Sequence, residues 1–318
     1  MRGNTGTSRL SRLVLFCVSA SVLAGCAGLR LADETAGLPT AVNLETVPFH
    51  PQTEFHCGPA ALATVLEHGG LEMTPNDLAE RVYTPGLRGS LQAEMVATAR
   101  AKGRIAYRLP GEPRSILAEV AAGRPVLVLE NLGLESIPYW HYAVVVGYDS
   151  GGNIMLLRSG EEREQRVSAG RWLRRWDRAG RWAMLIIEPG QWPVDPDPDR
   201  WIAAVADFDA VADAPEAARV WQQTLERWPN APLAWLGLGN TEFALGNLEE
   251  AVRAYRRLLA LDPDHASGRF NLAVALDRSG RPCDALPLFE ALASHESLGE
   301  RASKRREHSA QACSNLGR

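Results

Sequence analysis

The sequence lacks an excess of charge of either sign. Its 34 Lys and Arg stand against 38 Asp and Glu, a formal balance of −4. A general electrostatic affinity for nucleic acid or for anionic membranes is therefore not implied. No glycine-rich phosphate loop or dinucleotide fingerprint occurs, so nucleotide chemistry is not expected. Cysteines are few, five in 318 residues. None is spaced with His as a ligand set, so neither a metal nor a cofactor is expected. Aromatic residues are only 7%, although nine of them are Trp. The clearest apolar run, Leu13 to Val22, is too short to span a bilayer reliably. What is present is a chain 46% hydrophobic. It can bury a large core, spread over about two domains.

Residues 1–26 read as an export signal. Arg2, Arg9 and Arg12 precede the Leu13–Val22 run, which ends in Leu23-Ala24-Gly25-Cys26. An ordinary cleavage site and an uncleaved anchor are the alternatives. The ending resembles the bacterial lipobox. That resemblance implies lipidation of Cys26, with the mature protein anchored in the cell envelope and exposed to an oxidising space. Ala27 follows Cys26, which resembles sorting to the outer membrane, facing the periplasm.

Residues 27–43 lack strong periodicity and read as a tether. From 44 to 190 the pattern is α+β. Helices begin at Pro59, Pro75, Ser90 and Pro113. Strand candidates follow at 104–108, 125–129, 139–148, 153–157 and 182–187. Residues 191–199 alternate Pro and Asp as a stiff linker. Beyond it, residues 200–299 are Ala-rich and helical, and 300–318 form a polar tail.

The chemistry centres on Gln52 to Gly70. Cys57 stands at a loop-to-helix junction, with Pro59 suited to the first turn and Gly69-Gly70 to the end. A thiol at a helix N-terminus meets the positive end of the dipole, so its pKa is expected to fall. Gln52 can aim an amide at the same point, as an oxyanion donor requires. A buried structural cysteine capping a core helix is the alternative.

A base is required. His265, His295 and His308 lie in the helical region. His56 adjoins Cys57 and is poorly directed. His50 can line the cleft. His68 lies roughly 16 Å away along the helix. His141 opens the strand candidate Tyr139 to Tyr148, and a helix-borne thiol against a sheet-borne imidazole suits proton transfer.

These residues together carry a resemblance. Val47-Pro48-Phe49, Gln52, Cys57-Gly58-Pro59-Ala60-Ala61 and the strand His141 to Tyr148 resemble the bacteriocin-processing, double-glycine-leader type of papain-like cysteine peptidase. The resemblance implies an α+β papain-like domain. In it Cys57 is the nucleophile, His141 the base and Gln52 the oxyanion donor. The family places an Asp on the strand after the His strand. Here that strand reads Leu156-Leu157-Arg158-Ser159-Gly160, without a carboxylate. Glu161, Ser159 or a backbone carbonyl remain as groups to orient His141. Asp149 is expected in the hairpin turn instead.

The helical region has a period of 34. Ala251 and Ala285, Tyr255 and Phe289, and Leu238 and Leu272 are so spaced, as are Trp201 and Trp235, Trp221 and Tyr255, and Pro229 and Pro263. An unrelated helical bundle is the alternative. The spacing resembles the tetratricopeptide repeat, best over 232–265, and implies an all-α solenoid that binds a protein partner. Cys283 and Cys313 either pair or remain separate thiols.

The expected protein is an exported, lipid-anchored cysteine peptidase acting on peptide or isopeptide bonds, with a repeat domain for protein binding. The other reading is a non-catalytic lipoprotein that grips peptides and scaffolds assembly. No nucleic-acid partner is expected. No transporter segment accompanies the domain, so coupling to export in cis is not expected.

Overall fold

The computed structural model describes residues 29–51, 56–87 and 89–316. Residues 1–26, read above as an export signal, with Cys26 and Gln52, lie outside the described residues. Among the described residues no helix is long and apolar enough to cross a membrane.

The N-terminal part is α+β and the C-terminal part all-α. In chain order the elements are α1 (Leu31–Glu34), β1 (Ala41–Asn43), α2 (Cys57–His68), α3 (Pro75–Val82), β2 (Tyr83–Thr84), β3 (Gly89–Ser90), α4 (Gln92–Ala101), β4 (Ile105–Arg108), α5 (Pro113–Ala121), β5 (Val126–Asn131), β6 (Trp140–Asp149), β7 (Ile154–Ser159), β8 (Glu162–Ser168), α6 (Ala169–Asp177) and β9 (Ala183–Ile187). The repeat helices follow: α7 (Pro198–Asp209), α8 (Ala214–Arg227), α9 (Pro232–Ala244), α10 (Leu248–Leu261), α11 (Ala266–Arg278), α12 (Pro282–Glu290) and α13 (Gly299–Leu316).

A seven-stranded sheet runs β4-β9-β5-β6-β7-β8, and β1 also pairs with β6. β6 is central, and its side chains alternate between two cores. Tyr142, Val144 and Val146 face one core with α2, where Ala61, Leu62, Val65 and Leu66 are buried. Ala143 and Val145 face the other, with Trp172 and Trp176 of α6.

Residues 29–43 take part in the domain. Leu31 is fully buried and its N–H donates to Asn153 Oδ1 at 2.9 Å. β1 pairs with the far end of β6, Asn43 opposite Gly147. A Cβ at Gly147 would lie 2.3 Å from the Val42 carbonyl oxygen, so only glycine lets this segment close onto the sheet. The helix expected from Ser90 starts at Gln92, because Ser90 pairs with Tyr83 in a two-strand ladder.

The Pro/Asp segment lies against both parts. Trp192 stacks on Trp201 with ring centroids 4.3 Å apart and meets Trp228 edge-on at 5.5 Å. Val194 N–H donates to Glu119 Oε1 at 2.7 Å, and Asp197 N–H to the Tyr107 hydroxyl at 3.0 Å. Trp201 is 1% exposed, and its indole N–H donates to Thr224 Oγ1. α7 thus packs beside edge strand β4 and covers it, as exposed edges require.

Three helix pairs, α7–α8, α9–α10 and α11–α12, stack with α13 at the end. The small residues set their approach: a Cβ at Gly239 would lie 2.5 Å from the Tyr255 ring. Cys283 and Cys313 form a disulfide with Cα atoms 5.0 Å apart, tying α13 to α12. Closing a loop of that separation, 30 residues, contributes roughly 3–4 kcal/mol on the chain-entropy model.

Candidate active site

α2 begins at Cys57, as the Cys-Gly-Pro sequence indicates, and Gly69 caps it at the other end. Gly58 has no freedom to be anything else. A Cβ there would lie 2.2 Å from Ser90 Oγ and 2.5 Å from Ser90 Cβ. The β2–β3 ladder therefore closes directly over the first turn of α2. The Tyr142 hydroxyl fastens it by donating to the Ser90 carbonyl at 3.3 Å.

β7 pairs with β6 only as far as Val144 opposite Arg158. Tyr142 lies beyond that stretch, and its backbone N–H is directed at the Cys57 sulphur, as are the N–H groups of Gly58 and Cys57 itself. The thiol thus sits at the open edge of β6, against the residue that follows His141.

Burial raises the thiol above its ordinary pKa, outweighing the three N–H groups that favour thiolate. The lowered pKa expected from the helix terminus is therefore corrected: desolvation exceeds the N–H groups that favour the thiolate. Burial also pushes His141 down to about 4, and the Arg175 guanidinium pushes the same way. Without substrate, both groups are neutral at pH 7.

His141 Nε2 lies 2.9 Å from Ser159 Oγ. Of the groups left open for this place, Ser159 holds the ring, while Glu161 is exposed in the turn after β7. Asp149 accepts the Gly152 N–H at 3.1 Å, in the hairpin turn as expected. With Nε2 on Ser159, Nδ1 is the ring nitrogen left for another partner.

The other histidines of this part are engaged elsewhere. His50 Nε2 lies 2.7 Å from Glu67 Oε2, His56 stacks on Tyr83, and His68 Nε2 lies 3.2 Å from the Gly123 carbonyl.

Arg158 occupies the strand where an acid is wanting, and it does a different task. It is 3% exposed. Its guanidinium donates to the carbonyls of Arg163, Leu44, Glu45 and Val47. It thereby pins the segment that leads toward Gln52.

Two groups near His141 were not singled out from sequence. Glu130 pairs with His141 across β5 and β6 and is fully buried. Burial pushes it up to about 7, opposed by Arg175, whose Nη1 lies 3.9 Å from Oε1. A lone Glu ending an apolar strand, Val126-Leu127-Val128-Leu129-Glu130, was the available signal. Leu134, Ile137 and Tyr139 are exposed on the β5–β6 connection and Trp140 at the start of β6, with Leu87 and Leu91 exposed beside the β2–β3 ladder.

Residues 44–184 match the family model described as Peptidase_C39 like family. Residues 203–265 and 239–302 match the tetratricopeptide repeat. No curated protein matches the chain. Similar solved structures include a protein described as a C39-like peptidase from Bacillus anthracis. It is 18% identical, with 46% of this chain and 98% of that one covered and a TM-score of 0.40. YrrB, described as a TPR protein with an unusual peptide-binding site, is 18% identical, covering 36% of this chain and 58% of that one, with a TM-score of 0.34. The TPR2B domain of yeast Sti1, solved as a complex with pHsp70, is 15% identical, covering 36% and 96%, with a TM-score of 0.34.

Proposed function

We propose, from a C39-like peptidase domain joined to tetratricopeptide repeats, that the chain is a cysteine peptidase whose repeats hold a protein partner or substrate. The carrying observation is the thiol at the start of α2, faced by the Tyr142 N–H beside His141, with Ser159 on the far side of the ring. Because both groups are neutral at rest, His141 acts as a general base during attack. The proton passes from Cys57 sulphur to Nδ1 as sulphur bonds the peptide carbonyl carbon. The oxyanion lies toward backbone N–H groups at the helix start, with Gln52 as the side-chain donor. The protonated ring then gives its proton to the leaving amine, and water hydrolyses the thioester. The exposed apolar residues of the β5–β6 connection and beside the β2–β3 ladder favour substrates with large apolar side chains near the cut bond. Cys26 lipidation, with display in the cell envelope facing the periplasm, belongs to the same reading.

Hydrolysis of quenched-fluorescence peptides by the full chain tests this. Cleavage of apolar-rich peptides, abolished in Cys57→Ala, is the expected result. Equal rates in the two proteins would sink the assignment. The raised thiol and lowered imidazole favour a second reading, a domain that grips peptides without cutting them. Tight binding by both proteins with no cleavage by either is its signature.

The repeats carry a cavity of about 740 Å³ lined by Asn240, Asn271, Arg301, Lys304, Arg305 and His308, among others, with no carboxylate in its lining. This charge suits an acidic peptide segment. The cations all come from α13, which the Cys283–Cys313 disulfide ties down. Fluorescence anisotropy with an Asp/Glu-rich peptide should show binding that weakens at least tenfold in Arg305→Glu and weakens on reduction. Affinity that ignores Arg305, salt and reductant would place the partner elsewhere.

A further inference from the structure

We propose that Glu130 is a positioning residue for His141, a buried carboxylate standing behind the imidazole from β5 in place of an acid on β7.

Register is the first ground. Glu130 and His141 are Cα partners in the antiparallel β5–β6 ladder, so their side chains leave the sheet on the same face with Cβ atoms about 5 Å apart. Ser159 reaches that same face from β7 and holds Nε2. The two strands flanking β6 therefore each place one polar side chain beside the ring.

The second ground is cost. Glu130 is 0% exposed, and neither carboxylate oxygen has a hydrogen-bond partner among the described residues. Its ion pair with Arg175 is long, at 3.9 Å. A buried acid without a hydrogen bond destabilises a fold, and an apolar side chain would serve the core better. Glu119 makes the contrast. It is equally buried, yet it accepts hydrogen bonds from Arg124 and from the Val194 N–H, a structural use that Glu130 lacks. Side chains whose environments work against their charge concentrate where charge is needed during reaction.

The third ground is what surrounds the ring. Ser159 comes from β7, Arg175 from α6 and Glu130 from β5. Arg178 lies just beyond α6, bonded to the Asn131 carbonyl. Glu130 is the one acid in this set. When His141 takes the Cys57 proton, the new imidazolium faces Arg175, and the carboxylate offsets that repulsion. Ser159 receives the Nε2 hydrogen but supplies no charge.

As an account of rate this rests on the Cys57–His141 reading; the coupling between Glu130 and His141 does not. Histidine-labelled full chain, with the His141 signal assigned by its loss in His141→Gln, separates the two. The His141 ring nitrogen shifts in the wild type should show a step near pH 7 as the neighbouring carboxyl ionises, a step lost in Glu130→Gln and kept in Glu130→Asp. In parallel, kcat/KM should fall about tenfold in Glu130→Gln above pH 7, where the carboxyl is ionised. The two proteins should converge near pH 5, where it is protonated. A wild-type His141 signal without that step, or the same step in Glu130→Gln, overturns the proposal. The step in a chain without hydrolysis upholds the coupling and sinks the peptidase reading. A loss of rate equal at pH 5 and pH 8 assigns Glu130 a packing role and also overturns it.

Discussion

His141→Ala is expected to lower kcat/KM for peptide hydrolysis by about three to four orders of magnitude, with little change in folding stability. Losses of that size follow removal of the base from a nucleophile–base pair. The effect should be large here because the thiol is poorly activated by its surroundings. Burial holds Cys57 above its ordinary pKa despite three backbone N–H groups. Little thiolate exists near neutrality without a partner to take the proton.

The pH profile gives the sign. A histidine held down to about 4 is neutral, and able to accept a proton, at every pH above that value. The final acid limb of kcat/KM should therefore fall near pH 4, well below the ordinary imidazole value of about 6.5, beneath a shallower, roughly tenfold step near pH 7 that belongs to Glu130. Initial rates of the wild type and Glu130→Gln from pH 3.5 to 8 separate the two. A full acid limb near 6.5 in Glu130→Gln, or wild-type rates in His141→Ala, would remove His141 from the mechanism. Ser159→Ala should cost less than His141→Ala, since it removes an orienting bond and leaves the base.

Arg158→Met is expected to cost about 3–4 kcal/mol of stability, the largest loss from any single polar side chain among the described residues of the N-terminal part. The guanidinium is buried at 3% exposure and donates to four separate carbonyls. Methionine keeps the stem but leaves those acceptors unpaired, at roughly 1 kcal/mol or more each. Urea denaturation of the full chain measures it. Arg163→Ala is the control: that side chain is exposed and gives one bond to the Glu45 carbonyl, so its loss should stay under about 1 kcal/mol. A cost for Arg158→Met as small as that of the control would show that the 44–47 segment is held by other contacts. Because that segment leads to Gln52, Arg158→Met should also reduce turnover by more than its effect on folding explains.

The local parts of the molecule were legible in sequence because their causes are local. Pro59, with its fixed φ and missing N–H, suits the first turn of α2, and Gly70, at a φ of +79°, ends it after Gly69. Thr74 and Asp77 form the capping box at α3. The spacing of 34 among Trp, Ala and Tyr positions sets the helix pairs, because each aromatic must meet the same seam in the next repeat. The Cys57 helix and the His141 strand were legible in the same way.

Other elements were not. β8 reads Glu162-Arg163-Glu164-Gln165-Arg166 and is nearly all exposed, so it carries no apolar alternation for a sequence reading to find. Residues 31–43 take their order from sites elsewhere: the Asn153 side chain, and the edge of β6 opened by Gly147.

For the site, sequence by itself determined which side chains have the chemistry: a thiol at a helix start, an imidazole on a strand, and no acid on the strand after it. Tertiary structure alone decided their state and their support. Register brought Ser159 to Nε2 and set Glu130 opposite His141. Burial then raised the thiol against the N–H groups at the helix start and lowered the imidazole. Cross-strand register and desolvation depend on residues far apart in the chain. A local pattern contains the helix dipole that favours a thiolate, but not the depth of burial that opposes it.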